Sequence, residues 1–230
     1  MASTSLPLSS LCGTGTFRTG SIRESIDIAV EEALGTLPDA QDLSAEQRRG
    51  ILARYAAVLE GNFIYWMTAT LLSVKSGEAR EIILENLREE IRDCHPGMMR
   101  RFVLAAHAAP TEADFTAVYR DLTNVRLFLG RLSPIPNLVT MAFFEGFIQR
   151  FAAYLADLAR RQGSADMEYT DVHGICDVTH TQELFRALEL EMALGPLSGG
   201  MEMMEGVGLL RRLLGAIVFA DAAMGVSPTN

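Results

Sequence analysis

The segment His173-Gly-Ile-Cys-Asp177-Val-Thr-His180 sets two imidazoles and a carboxylate at the spacing H-x3-D-x2-H. The surrounding sequence has a helical pattern. At about 100° per residue, positions 173, 177 and 180 fall within an arc of roughly 60°. Nitrogen and oxygen donors converging on one stripe make half of a di-metal site. The chain has four histidines, and this motif uses two of them. Cys176 lies inside the motif but about 100° around the helix from Asp177, which reads as a packing position.

One helix supplies one wall of such a site, so further ligands must come from facing helices. Glu145 sits in Met141-Ala-Phe-Phe-Glu-Gly-Phe-Ile148, the most apolar surroundings of any acidic residue in the chain. A buried carboxylate needs a metal or a cationic partner, and Arg126 and Arg150 are the arginines to consider. Glu85 and His95 form the next pair. On a straight helix ten residues would separate them by about 15 Å along the axis and about 80° around it. Pro96 disfavours helix at His95, and a bend there would bring the imidazole back. Glu81, Glu89 and Glu90 compete with Glu85, and spacing alone does not choose among them. His107 reads as a helix C-terminal histidine, and Met201-Glu-Met-Met-Glu205 as adaptable packing.

The elements that must position these groups are helices. Ser21 to Leu37 carries apolar residues at 3–4 spacing. Ser44-Ala-Glu-Gln47 reads as a capping box opening one long helix to about Val74. Gly77 to Asp93 is amphipathic, with Ile82, Ile83, Leu87 and Ile91 as its expected buried stripe. Pro96 opens a segment to about Ala108, and Thr111-Glu-Ala-Asp114 starts a helix to about Gly130. The Pro134/Pro136 pair opens a helix to about Arg161. The motif helix spans about Met167 to Leu194, and a last helix follows the Gly195–Gly200 break. No period-2 run is long enough for a strand.

The bulk properties narrow the function. The chain has 230 residues, enough for one sizeable core, and a net charge of −9. That charge argues against nucleic acid and anionic membranes as partners. Three widely spaced cysteines (Cys12, Cys94 and Cys176) suggest a reducing cytoplasm rather than a disulfide framework. No apolar run reaches the roughly 18 residues of a membrane span. Residues 1–20, rich in Ser, Thr and Gly, read as a flexible tail ahead of one domain over 21–230.

In order and spacing, Glu85-x9-His95, Glu145 and His173-x3-Asp177-x2-His180 resemble the ligand set of the haem-oxygenase-like di-metal oxidases. The resemblance covers about residues 45–225. It implies an all-α, single-domain bundle of seven to eight helices. It also implies two Fe(II) ions held by Glu85, His95, Glu145, His173, Asp177 and His180. The ten-residue Glu–His interval is similar to that of the amine N-oxygenase members. These carry a further glutamate about 25 residues earlier. Glu60, in Ala-Val-Leu-Glu-Gly-Asn-Phe, stands at that place and is implied as a seventh, catalytic ligand. The competing reading is a surface glutamate beside Gly61.

The activity implied is reduction of O2 to a peroxo-diferric species that oxygenates a small amine to a hydroxylamine, nitroso or nitro product. That places the chain in a specialised-metabolite pathway, with an external reductant or electron donor, and admits a homodimer. Arg88, Arg92, Tyr65, Tyr119 and Tyr169 are candidates to orient the substrate. One alternative is oxidative C–C cleavage of an amino acid or fatty acid by the same irons. Another is a helical interaction protein with a structural metal site. The haem-binding relatives use a proximal histidine near the amino terminus, and here no histidine precedes His95.

Overall fold

Strong local signals set most helix boundaries in the computed structural model, which describes residues 19–195 and 203–224. Nine helical segments and no strand occur among the described residues. They are α1 (Thr19–Leu34), α2 (Ala45–Leu59), α3 (Asn62–Ser73), α4 (Gly77–Arg92), α5 (His95–Ala105), α6 (Glu112–Leu129), α7 (Pro134–Arg161), α8 (Glu168–Met192) and α9 (Glu205–Met224). The expected tail over 1–20 lies outside the described residues, except for Thr19 and Gly20, which begin α1. The Met201–Glu205 cluster is described only from Met203 onward, which packs into the core.

The capping box at Ser44 forms as the sequence suggests. The Ser44 hydroxyl accepts from the Gln47 N–H at 3.1 Å, and the Gln47 side chain accepts from the Ser44 N–H at 2.8 Å. Thr111 and Asp114 close a second box at the start of α6. The helix expected to run from 44 to 74 is two helices, because Gly61 adopts a left-handed φ of 77° between α2 and α3. Only glycine enters that region without steric cost.

The core is built around α7, whose Phe143, Phe147 and Phe151 are fully buried. Each such side chain contributes about 1.5–3 kcal/mol by leaving water. α8 runs alongside α7 for much of its length, α4 and α5 both pack against α8, and α5 also touches α7. α9 closes the opposite face against α6, α7 and α2. At that contact a Cβ on Gly206 would lie 1.9 Å from Thr140 Oγ1, so α9 approaches α7 at a distance only glycine permits. The result places α4, α5, α7 and α8 around one shared interior, into which the acidic and imidazole groups project. No helix among the described residues is long and apolar enough to cross a membrane.

Candidate metal centre

α4 buries Ala79, Ile83, Asn86, Leu87 and Glu90, a stripe at 3–4 spacing. Glu90 is seven residues from Ile83 and so points the same way. The helix stops at Arg92, Cys94 takes a left-handed φ of 57°, and α5 begins at His95. This break folds His95 back over the last turn of α4. Its Nδ1 meets Glu90 Oε1 at 2.7 Å, which leaves Nε2 free to bind elsewhere.

α8 supplies His173, Asp177 and His180, all buried. His173 Nδ1 donates to the Tyr169 carbonyl at 2.8 Å, again leaving Nε2 available. The rings of His95 and His173 stand 4.6 Å apart, centroid to centroid. His180 Nε2 lies 3.0 Å from Glu89 Oε2. α7 contributes Glu145, whose Oε1 is buried without a hydrogen-bond partner. Arg150 pairs with Glu31 and Arg126 stacks on Tyr65, so neither arginine neutralises it.

Three buried carboxylates and three imidazoles therefore share one interior. Burial pushes the Glu145 carboxyl well above its ordinary range, and the nearby Asp177 and Glu90 charges add to this. Burial raises Asp177 to about 8, with Glu90 adding to the effect against a lowering Cys176 hydrogen bond. Burial lowers His173 to about 4. For His95 burial opposes the proton, but the Glu90 hydrogen bond and charge outweigh it and raise the imidazole.

Metal cations suit this arrangement. Two groups of ligand atoms each fit within 4.8 Å: Glu90, His95 and His173 in one, and Cys176, Asp177 and His180 in the other. Glu145 Oε1, Asp177 Oδ2 and His180 Nδ1 are buried with no partner, a cost that a bound cation removes. Imidazole with carboxylate is a donor set that iron accepts.

The family described as iron-containing redox enzymes matches residues 30–214. The chain belongs to this family. It is thus an oxidoreductase by family, with an all-α haem-oxygenase-like bundle. No curated protein matches it.

Within this iron-containing redox enzyme, five of the seven residues expected at the metals come together: His95, Glu145, His173, Asp177 and His180. Glu85 does not, and its expected position is corrected. Its side chain is 52% exposed and pairs with Arg88 at 3.3 Å and Arg92 at 4.0 Å. Residue 85 lies about 200° around α4 from the buried Ile83, whereas residue 90 lies within about 20°. The expected stripe was rotated as well, since Ile91 is 61% exposed. Glu90, with a side chain 5% exposed, occupies the interior instead. The heptad step from Ile83 was the signal that could have selected it.

Glu60 is also corrected. It ends α2 as the C-cap, is 41% exposed in its side chain and pairs with Arg100. The break at Gly61 turns the chain at this point, and Glu60 faces water. Of the five substrate-orienting candidates, Tyr169 lines the interior cavity, while Arg88, Arg92, Tyr65 and Tyr119 are exposed. The cavity measures about 30 Å³, room for roughly two water-sized molecules. Beside the metal-binding groups, its wall is apolar, with Leu59, Phe63, Met99, Phe144 and Ile148. His107 follows the C-cap of α5 at a left-handed φ of 53° and is exposed.

Proposed function

We propose that this protein is an O2-dependent non-haem di-iron oxidase acting on a small organic substrate. The observation that carries the reading is the set of orphaned buried atoms, Glu145 Oε1, Asp177 Oδ2 and His180 Nδ1, beside the Glu90–His95–His173 group. Glu90, His95 and His173 would hold one iron, Asp177 and His180 the other, with Glu145 as a further carboxylate of the site. Bound iron would supply redox chemistry and Lewis acidity toward dioxygen.

The chain's own residues prepare this chemistry. The Tyr169 carbonyl fixes the His173 tautomer and Glu90 fixes the His95 ring, so both Nε2 atoms are available. The apolar wall of Leu59, Phe63, Met99, Phe144 and Ile148 encloses the metal-binding groups and limits the water beside them. Asp177 and Glu145 give up protons when a cation enters, which makes them full ligands.

The amine N-oxygenation reading rested on the Glu85–His95 interval and on Glu60 as a seventh ligand. Its surface ion pair with Arg100 favours the second reading, oxidative C–C cleavage of a small amino acid or fatty acid. The test is aerobic turnover under 18O2 with iron, a reductant, and panels of amines and of amino and fatty acids. A shortened alkene, nitrile or aldehyde supports cleavage. Label in an N–O bond establishes N-oxygenation instead. Iron-loaded protein that consumes no O2 with any substrate overturns both and leaves a structural metal site.

A further inference from the structure

The second group of ligand atoms contains a thiol. Cys176 Sγ, a ligand atom of Asp177 and one of His180 lie within 4.8 Å of one another. Cys176 is about 100° around α8 from Asp177, but it is four residues from His180 and only about 40° away from it. α8 thus carries two interleaved i,i+4 pairs of ligand residues, His173 with Asp177 and Cys176 with His180. The first reaches toward α5, because the His173 ring faces that of His95. The second closes on the Asp177 side, where Cys176 Sγ donates to Asp177 Oδ1 at 3.2 Å.

Two further atoms point to a cation at this place. Asp177 is 1% exposed and His180 2% exposed, and Asp177 Oδ2 and His180 Nδ1 both lack a partner. A lone cysteine in a helix needs no explanation. A cysteine whose two neighbours in space each bury an unpaired ligand atom does.

We propose that Cys176 is a ligand of the second metal position, binding through its thiolate together with Asp177 and His180. The assignment rests on the di-metal reading and makes the two positions unlike. The Glu90–His95–His173 position offers nitrogen and oxygen donors. The Cys176–Asp177–His180 position adds sulfur, which suits zinc or iron(II) better than magnesium or manganese. As the metal–sulfur bond forms, the S–H proton passes to solvent and no electron is transferred.

The test is anaerobic titration of the full chain with cobalt(II), followed by absorbance. A thiolate-to-cobalt charge-transfer band is expected in the near ultraviolet. It should be lost in Cys176→Ser at equal cobalt content and kept in a Cys12→Ser/Cys94→Ser chain. Zinc X-ray absorption on the unsubstituted chain is expected to show a sulfur scatterer at about 2.3 Å, which keeps the test decisive if Cys176→Ser does not fold. Two bound cobalt ions with no such band, or a band that persists in Cys176→Ser, overturn the thiolate assignment and leave the di-metal reading in place. Failure of the unsubstituted chain to bind cobalt overturns both.

Discussion

Glu90 and His95 meet at 2.7 Å across a helix break, five residues apart in sequence and on two different helices. The left-handed Cys94 between them reverses the chain so that an imidazole at the start of α5 lands on a carboxylate at the end of α4. This contact, rather than the Glu85–His95 interval, defines the α4–α5 wall of the site. Replacing Glu90 by Gln is expected to weaken the first metal equivalent by at least about tenfold, since even supporting groups of metal sites are worth that much. Glu85→Gln is expected to leave it unchanged. Calorimetric titration with a redox-inert divalent ion separates the two. Equal effects from both substitutions would return Glu85 to the site.

Glu60 and Arg100 form an exposed pair, and such pairs contribute about 0–1 kcal/mol. Glu60→Gln is therefore expected to shift stability by less than about 1 kcal/mol and to leave metal stoichiometry untouched. Thermal unfolding and metal analysis check this together. Loss of bound metal in this variant would revive the seventh-ligand reading, and N-oxygenation with it.

The metal-free site holds protons that a cation must displace. Asp177 is raised to about 8, so it is largely protonated at neutral pH, and burial shifts Glu145 in the same direction. His173, lowered to about 4, is already neutral and releases nothing. Metal binding at pH 7 is thus expected to release protons, and affinity is expected to rise with pH through about 8, where Asp177 titrates. Indicator absorbance in weak buffer during zinc addition reads the release directly. Proton-neutral binding at pH 7 would mean that the carboxylates bind no metal.

Gly206 sets the distance between α9 and the helices under it. Its missing side chain leaves room for Thr140 and Phe128, which a Cβ would meet at 1.9 and 2.5 Å. Gly206→Ala is expected to destabilise the fold by about 1–3 kcal/mol through overpacking. Gly174, with nothing near its Cβ position and a helical backbone, is the contrasting case. Gly174→Ala should be neutral or stabilising by up to about 1 kcal/mol. Denaturant midpoints of the two variants give the comparison, and the opposite order would contradict the packing described at α9.

The sequence by itself determined what depends on near neighbours. Ser44 and Gln47 close their box, Thr111 and Asp114 theirs, and Pro134 opens α7. His173, Asp177 and His180 share a buried stripe because seven residues make about two helical turns. Glu145 was legible as buried because the apolar residues around it leave a carboxylate nowhere else to face.

Only the tertiary structure decided which acid of α4 joins them. Glu81, Glu85, Glu89 and Glu90 are alike in type, and choosing among them requires the helix's rotation about its own axis. That rotation is set by the packing of Ile83 and Leu87 against other helices, and about 100° around the axis separates Glu90 from Glu89 and about 140° from Glu85. Glu60 turned on the same kind of fact, and Cys176 on which atoms of Asp177 and His180 are buried without a partner. Gly61 turns the chain where periodicity continued the helix. For Cys176 the neighbour that matters is His180, one turn further along, rather than the Asp177 beside it in sequence.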